Sequence, residues 1–481
     1  MGDFNSDYTL DEVLTAFGFG KYHGLLLAYG GLGWIAESMG MMILSFIGSA
    51  VQTEWHLSTG QKSLISTVVF GGMLVGSYLW GVVSDSYGRK KGILGVATIT
   101  AVAGLLSAFS PNYISLIILR GISGVGLGGL YIFTSWFLEF VPAPSRGSWM
   151  IIFSSFWTLG TISEAALAWV VMPNFGWRWL IGLSSVPTFI VLLLHPFVPE
   201  SPRFLCMKGR INEAQNILEK IAWSGGAMLP CGSLVYNQPQ NHIDKDLNEI
   251  SENDRLVSPG MDNGHDCHAS SSSAALLFSS KLIKTNILLW FLYFGNTFAY
   301  YGIILLTSEL SNQKECKTVA VHSDNIQSDS LYVDVFVTSL AEVPGLVISA
   351  FIVDRVGRKL SMVIMFVLAS ILLLPLLIQQ SESLSTGLLF GARTFVSATF
   401  VVAFIYAPEV YPTQIRATAV GIACAIGKIG GMVSPLVAIG LINGCHQAYA
   451  VVLFVVTILL SALSVWLTPF ETTGKNLDEA L

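Results

Sequence analysis

Twelve apolar runs, each about 20 residues long, punctuate this 481-residue chain near 24–50, 61–83, 92–110, 114–139, 147–170, 179–198, 282–309, 331–353, 360–380, 384–407, 417–440 and 446–468. A helix rises ~1.5 Å per residue, so about 20 apolar residues cross the ~30 Å hydrocarbon core of a bilayer. In that core no water reaches the backbone N–H and C=O groups, so only helices and closed barrels can span it. The polar–apolar alternation of barrel strands is absent, which excludes the barrel. Charged residues form 12% of the chain, about half the share in a soluble protein. The fold class is therefore an all-α membrane protein with twelve transmembrane helices.

The charges that remain are repetitive. Gly81-Val-Val-Ser-Asp85-Ser-Tyr-Gly88-Arg89-Lys90-Lys91 returns in reduced form 269 residues later as Asp354-Arg-Val-Gly357-Arg358-Lys359. Arg120 answers to Arg393 after 273 residues, Glu139 to Glu409 after 270, and Arg146 to Arg416 after 270. A pattern returning in order at one period marks a duplicated unit, and two helical membrane units facing each other form the architecture of a carrier. The expectation is two pseudo-symmetric six-helix halves, 24–198 and 282–468. A cytoplasmic segment 1–23 precedes them, a partly helical and partly disordered cytoplasmic linker 199–281 joins them, and a tail 469–481 follows.

With both termini inside, 18 of the 25 Lys and Arg residues fall in cytoplasmic segments, and basic residues favour that side. Lys62, Arg178, Lys314 and Lys317 fall outside. Residues 1–23 are polar and acidic, so no cleavable signal is expected ahead of the first span. Residues 208–221 read as an amphipathic helix on the inner face, and 230–275, rich in Asn, Asp, Ser and His, as disordered, with 270–273 as a phosphorylation region. The outer loop 311–330 lacks a glycosylation sequon. The plasma membrane is the expected location. The cysteines form no CxxC or His/Cys cluster, so no metal or other cofactor is expected. Cys316 and Cys445 share the outer side, either bridged or as two free thiols.

Glycine lets the chain turn sharply between helices. Beside it, Asp85 with Arg89 and Lys90, and Asp354 with Arg358 and Lys359, could pair across the two halves and lock the cytoplasmic side. Glu139 with Arg146, Glu409 with Arg416, and Glu200 with Arg203 add partners of opposite sign. The simpler reading, loop anchoring by the basic-residue bias, would suffice for one copy of the motif but explains two matched copies less well.

Taken with Arg120-Gly-Ile-Ser-Gly124-Val-Gly126-Leu-Gly128, Pro199-Glu-Ser-Pro-Arg203 and Pro408-Glu-Val-Tyr-Pro412-Thr-Gln-Ile-Arg416, the 81–91 motif resembles the major facilitator superfamily, in its sugar and organic-ion transporter branch. The resemblance covers almost all of residues 20–470. Glu342-Val-Pro-Gly345 is more similar to organic cation/carnitine transporters and synaptic vesicle glycoproteins than to sugar porters. The likeness extends to the plant organic cation/carnitine type that is similar to bacterial nicotinate transporters. The Gln-Gln pair expected of sugar porters in the seventh helix is missing.

Six ionisable residues lie well inside spans, away from their ends: Glu37, Arg120, Glu164, Glu342, Arg393 and Lys428. Each costs about 2.5–3.5 kcal/mol if it faces lipid at the bilayer centre, so they must face the interior. Arg120 and Arg393 match between halves, which suits internal scaffold charges. Glu37 and Lys428 have no charged mates, and an asymmetric substrate calls for unmatched charges. Trp34 shares a helix face with Glu37, placing an indole beside a carboxylate. Lys428 occupies a level where, by the resemblance, anion carriers hold a basic residue. Tyr293, Asn296, Tyr300 and Tyr301 in the seventh span add aromatic surface, part of it packing only. Glu164 and Glu342 are proton-coupling candidates, and Glu342 equally suits a structural role at the Pro344-Gly345 bend.

The expectation is an alternating-access carrier for a small carboxylate-bearing organic ion, nicotinate or N-methylnicotinate (trigonelline) by the resemblance. It would work as a monomer in lipid, driven by protons or by the substrate's own gradient, with no nucleic-acid partner. An organic cation/carnitine carrier is the alternative, and a non-transporting receptor or scaffold a third. No nucleophile–base set or phosphate-binding loop points to an enzyme.

Overall fold

The computed structural model describes residues 8–17, 20–129, 131–142, 146–225, 234, 282–312, 327–378, 380–411, 416–444, 446–469, 471 and 472. Twelve of its helices are long and apolar enough to cross a membrane. In chain order they are α1 (Lys21–Trp55), α2 (Thr59–Tyr87), α3 (Arg89–Ala108), α4 (Tyr113–Leu138), α5 (Ser148–Phe175) and α6 (Trp177–Phe197) in the first half. The second half holds α7 (Ile283–Ser311), α8 (Leu331–Val353), α9 (Arg358–Leu377), α10 (Glu382–Val410), α11 (Thr418–Asn443) and α12 (Gln447–Leu467). The disulfide question at Cys316 and Cys445, and most of the linker, lie outside the described residues.

Packing repeats between the halves. In the first, α1 packs on α5, α2 and α3 on α4, and α6 on α3 and α1; in the second, α7 packs on α11, α8 and α9 on α10, and α12 on α9 and α7. The halves meet where α2 packs on α11 and α5 on α8, which is one contact seen twice once the halves are exchanged. This is the pseudo-twofold major facilitator fold. Large apolar side chains left exposed on the outer faces, among them Val75, Ile114, Trp169, Leu193, Phe351 and Trp466, form the surface that lipid covers.

Local sequence explains the helix ends. Ser58 caps α2 by accepting from the Gln61 N–H at 3.3 Å while the Gln61 side chain accepts from the Ser58 N–H at 2.9 Å, a reciprocal capping box. Gly88 and Gly357, at the same place in the two motifs, turn the chain at φ +106° and +96°, where a Cβ is strained. The α2–α4 seam is tight enough that a Cβ on Gly72, Gly76, Gly124 or Gly128 would meet backbone atoms of the facing helix, the small-residue packing that membrane helices use.

Several spans are interrupted near mid-membrane. The helical run of α1 breaks at Ile43, that of α4 after Leu127, and that of α8 at Ala341. Pro344 has no N–H to give the Leu340 carbonyl one turn earlier, which accounts for the break in α8.

The helix expected within 208–221 is Ile211–Gly225. Its buried face of Ala214, Leu218 and Ile221 joins one apolar cluster with Leu10, Val13 and Leu14 of the helix Leu10–Phe17. That apolar side is thus covered by protein.

Candidate functional site

A buried polar network ties both halves together at mid-membrane. Glu342, at the break in α8, accepts from Arg393 Nη2 of α10 at 2.7 Å and from Tyr300 Oη of α7 at 2.6 Å. Its other oxygen accepts from Thr161 Oγ1 of α5 at 3.2 Å. Trp157 Nε1 of α5 donates to Tyr300 Oη at 2.9 Å. Arg393 also reaches Ser339 Oγ at 3.3 Å and Met42 Sδ of α1 at 3.9 Å. Arg393 is 0% exposed and Glu342 2%, so each ion depends on the other for compensation. Trp157, Thr161 and Met42 belong to the first half, the rest to the second.

Glu37 and Lys428 lie beside this network in a different condition. Glu37 is buried and Lys428 half-buried. Lys428 is within electrostatic reach of Glu37, yet no ion pair within 4 Å joins them. Tyr301 lies within reach of both Glu37 and Glu342. Aromatic rings close the space: Tyr301 meets Phe70 of α2 edge-on at 4.7 Å and Tyr300 at 5.1 Å. Trp34 meets Trp157 at 6.0 Å and Phe153 at 5.0 Å. Its indole Nε1 has no hydrogen-bond acceptor. An acid, a base, a free indole donor and ring faces thus converge where the halves meet, a composition suited to a small ring or onium ion carrying a carboxylate.

The remaining seventh-span residues are otherwise engaged. Tyr293 Oη donates to the Ala403 carbonyl at 3.3 Å and packs with Ala407 and Ala423. Asn296 Oδ1 accepts from Thr399 Oγ1 at 2.9 Å. Both contacts fasten α7 to α10.

Arg120 and Glu164 form a separate buried group inside the first half. Glu164 accepts the Ser184 hydroxyl at 2.7 and 2.9 Å. Arg120 is within electrostatic reach of Glu164, but its Nε and Nη2 find no partner. Arg120 lines a cavity with Thr100, Ser123, Ser184 and Thr188. The sequence-matched arginines therefore sit in unlike surroundings: Arg393 is fully engaged across the halves, and Arg120 is enclosed in one.

On the side bearing the termini, the pairing differs from the cross-half arrangement expected. Arg89 binds Asp85 and, at 3.0 Å, Glu139, while Arg358 pairs with Glu409 at 3.3 Å. Glu200 accepts from the Lys90 N–H at 3.1 Å. Glu471 accepts from the N–H groups of Arg358 and Lys359 at 3.0 and 3.2 Å. Each of these contacts stays within one half, and the carboxylates following α6 and α12 cap the positive N-termini of α3 and α9. The expected partners Arg146, Asp354 and Arg416 have side chains outside the described residues. Arg203 is half-buried in the helix Pro202–Met207. Sequence reading missed Glu471, although it follows Glu200 by 271 residues and so fits the repeat. It also counted Lys62 among the charges on the outer side without noting that it is buried near the start of α2. No group of three or more His, Cys, Asp or Glu placed to hold a metal occurs among the described residues.

Two like halves around a charged, aromatic midplane define a helical membrane carrier, and comparison with known proteins agrees. Residues 8–480 match the family described as "Sugar (and other) transporter", and the chain belongs to that family. It is 51% identical over 492 residues to Organic cation/carnitine transporter 7 of Arabidopsis thaliana, covering 100% of this chain and 98% of that protein. With Synaptic vesicle 2-related protein of Bos taurus it shares 34% identity over 484 residues, covering 98% of this chain and 83% of the relative. The xylose transporter XylE from E. coli in a partially occluded inward open conformation matches with TM-score 0.71 at 17% identity, covering 95% of this chain and 100% of that one. That likeness speaks to fold alone. Fold and relatives are those of a transporter rather than an enzyme.

Proposed function

We propose that this carrier moves a small organic ion that joins a carboxylate to a ring or onium nitrogen, such as the zwitterion trigonelline or its unmethylated parent anion nicotinate. Lys428 holds the carboxylate, Glu37 with Trp34 faces the nitrogen, and Tyr301 offers a ring face. The observation that carries this is an acid and a base from different halves, within electrostatic reach of one another yet not joined by an ion pair. A ligand bearing the opposite charges supplies the compensation each lacks, and its contacts differ between conformations as the halves move. Carnitine, named for the plant relative, joins a quaternary nitrogen to a carboxylate in the same way, so the organic cation/carnitine reading draws on the same two residues.

Lys428→Ala tests the assignment. A lost charge-assisted contact is worth about 1.5–3 kcal/mol, so uptake efficiency for trigonelline or nicotinate should drop at least roughly tenfold with surface expression retained. Unchanged uptake kinetics would remove the anion argument. If a quaternary amine without a carboxylate competes as well as trigonelline does, the carrier is a cation carrier using Glu37 alone.

Proton drive, where present, belongs on Glu164. Protonating Glu342 would break a direct ion pair with Arg393, whereas Glu164 is bonded to a neutral hydroxyl and meets Arg120 only at longer electrostatic range. Glu164→Gln should preserve exchange of labelled for unlabelled substrate while abolishing uphill accumulation. Intact accumulation in that variant would shift the assignment elsewhere.

A further inference from the structure

The polar contacts that cross between the halves run from mid-membrane towards the side away from the termini. Trp157–Tyr300 and Thr161–Glu342 lie near the middle. Thr67 Oγ1 of α2 donates to the Met432 carbonyl of α11 at 3.2 Å, and the rings of Phe46 of α1 and Tyr332 of α8 add an aromatic contact at 6.0 Å. At the far end, three residues into α2 and two from the end of α7, Lys62 Nζ contacts Glu309 Oε1 at 2.6 Å and Oε2 at 2.8 Å. This ion pair joins the two halves directly. Both side chains are only 4% exposed. The aliphatic stem of Lys62 packs beside Gly48 of α1, where a side chain would crowd it. Nothing in the substrate assignment uses either residue.

We propose that Lys62 and Glu309 are the latch that holds the carrier shut on the side away from its termini. Opening there must separate two desolvated charges, and neither has another ionic partner within 4 Å among the described residues. The pair therefore weights the conformational equilibrium towards the closed arrangement, whichever ion is carried. The termini side is built differently: the resolved clusters there neutralise their charges within each half, so separating the halves on that side leaves those pairs intact.

Spin labels on cysteines replacing Gly60 and Ser383, exposed at the far ends of the first and second halves, report the gap by pulsed dipolar spectroscopy. Lys62→Met and Glu309→Gln should each add a longer-distance population, raising the open-to-closed ratio about tenfold or more, since breaking one side of a buried pair is the costly perturbation. The double variant should shift no further than either single, because both remove the same interaction. Distances unchanged in both singles, even with lower thermal stability, would reduce the pair to a folding contact and overturn the latch. Additive shifts in the double variant would also overturn it, since the two side chains would then act separately.

Discussion

Replacing Glu342 by glutamine tests whether the mid-membrane network stands on its buried ion pair. The substitution leaves Arg393, with no exposed surface, charged and uncompensated. Removing one member of a buried pair costs about 3–5 kcal/mol. Glutamine keeps an acceptor for Tyr300 and Thr161, now 2.6 and 3.2 Å from the carboxylate, but neutral bonds have about half the strength of charge-assisted ones. The lower part of that range, roughly 3–4 kcal/mol, is therefore expected. At about 2 °C per kcal/mol, the unfolding midpoint of the detergent-purified protein should fall by roughly 6–8 °C. Adding Arg393→Met removes the orphaned charge, and such neutral replacements of a buried pair often lose little stability. The double variant should thus recover most of the shift. Intrinsic tryptophan fluorescence during heating provides the measurement. A single variant as stable as the parent, or a double variant no better than the single, would refute the reasoning.

Gly124→Ala places a Cβ against the Val69 backbone, and because a backbone cannot yield as a side chain does, a loss of about 1–3 kcal/mol or more is expected in the same thermal assay. Val125, one position on, provides a control: a comparable loss in Val125→Ala would show that the glycine contact is not the cause. Glu200→Ala and Glu471→Ala each remove the carboxylate capping α3 or α9, a loss of about 1–2 kcal/mol apiece. The two sites lie in different halves, so their losses should add to within ~0.5 kcal/mol, and strong non-additivity would contradict capping confined to each half.

The twelve spans and the duplication are legible in the sequence because hydrophobic length and charged landmarks are one-dimensional signals. The offset joining Gly88 to Gly357 becomes, in three dimensions, the same left-handed turn in each half. The mid-membrane network is legible only in its charged members. Glu342 and Arg393 stand out as ions in lipid, but Trp157, Thr161 and Met42 are ordinary residues for a span, and nothing along the chain ties Met42 to Arg393 across 351 positions. Partner choice on the termini side was also hidden. Arg89 and Glu139 are 50 residues apart, and spacing alone cannot distinguish a bond inside one half from one across both. Lys62 and Glu309 lie at span edges, where a loop and a buried helix end have the same composition.

The carboxylates of Glu200 and Glu471 give each half a crossbar, tying the sixth helix to the start of the third and the twelfth to the start of the ninth. A bundle braced in that way resists sliding of one rod past another, so strain produced at the centre is passed on as rotation of the whole block. Sensitivity to substitution should accordingly be concentrated along the seam between the blocks, while their lipid-facing sides can drift in sequence as long as they stay oily.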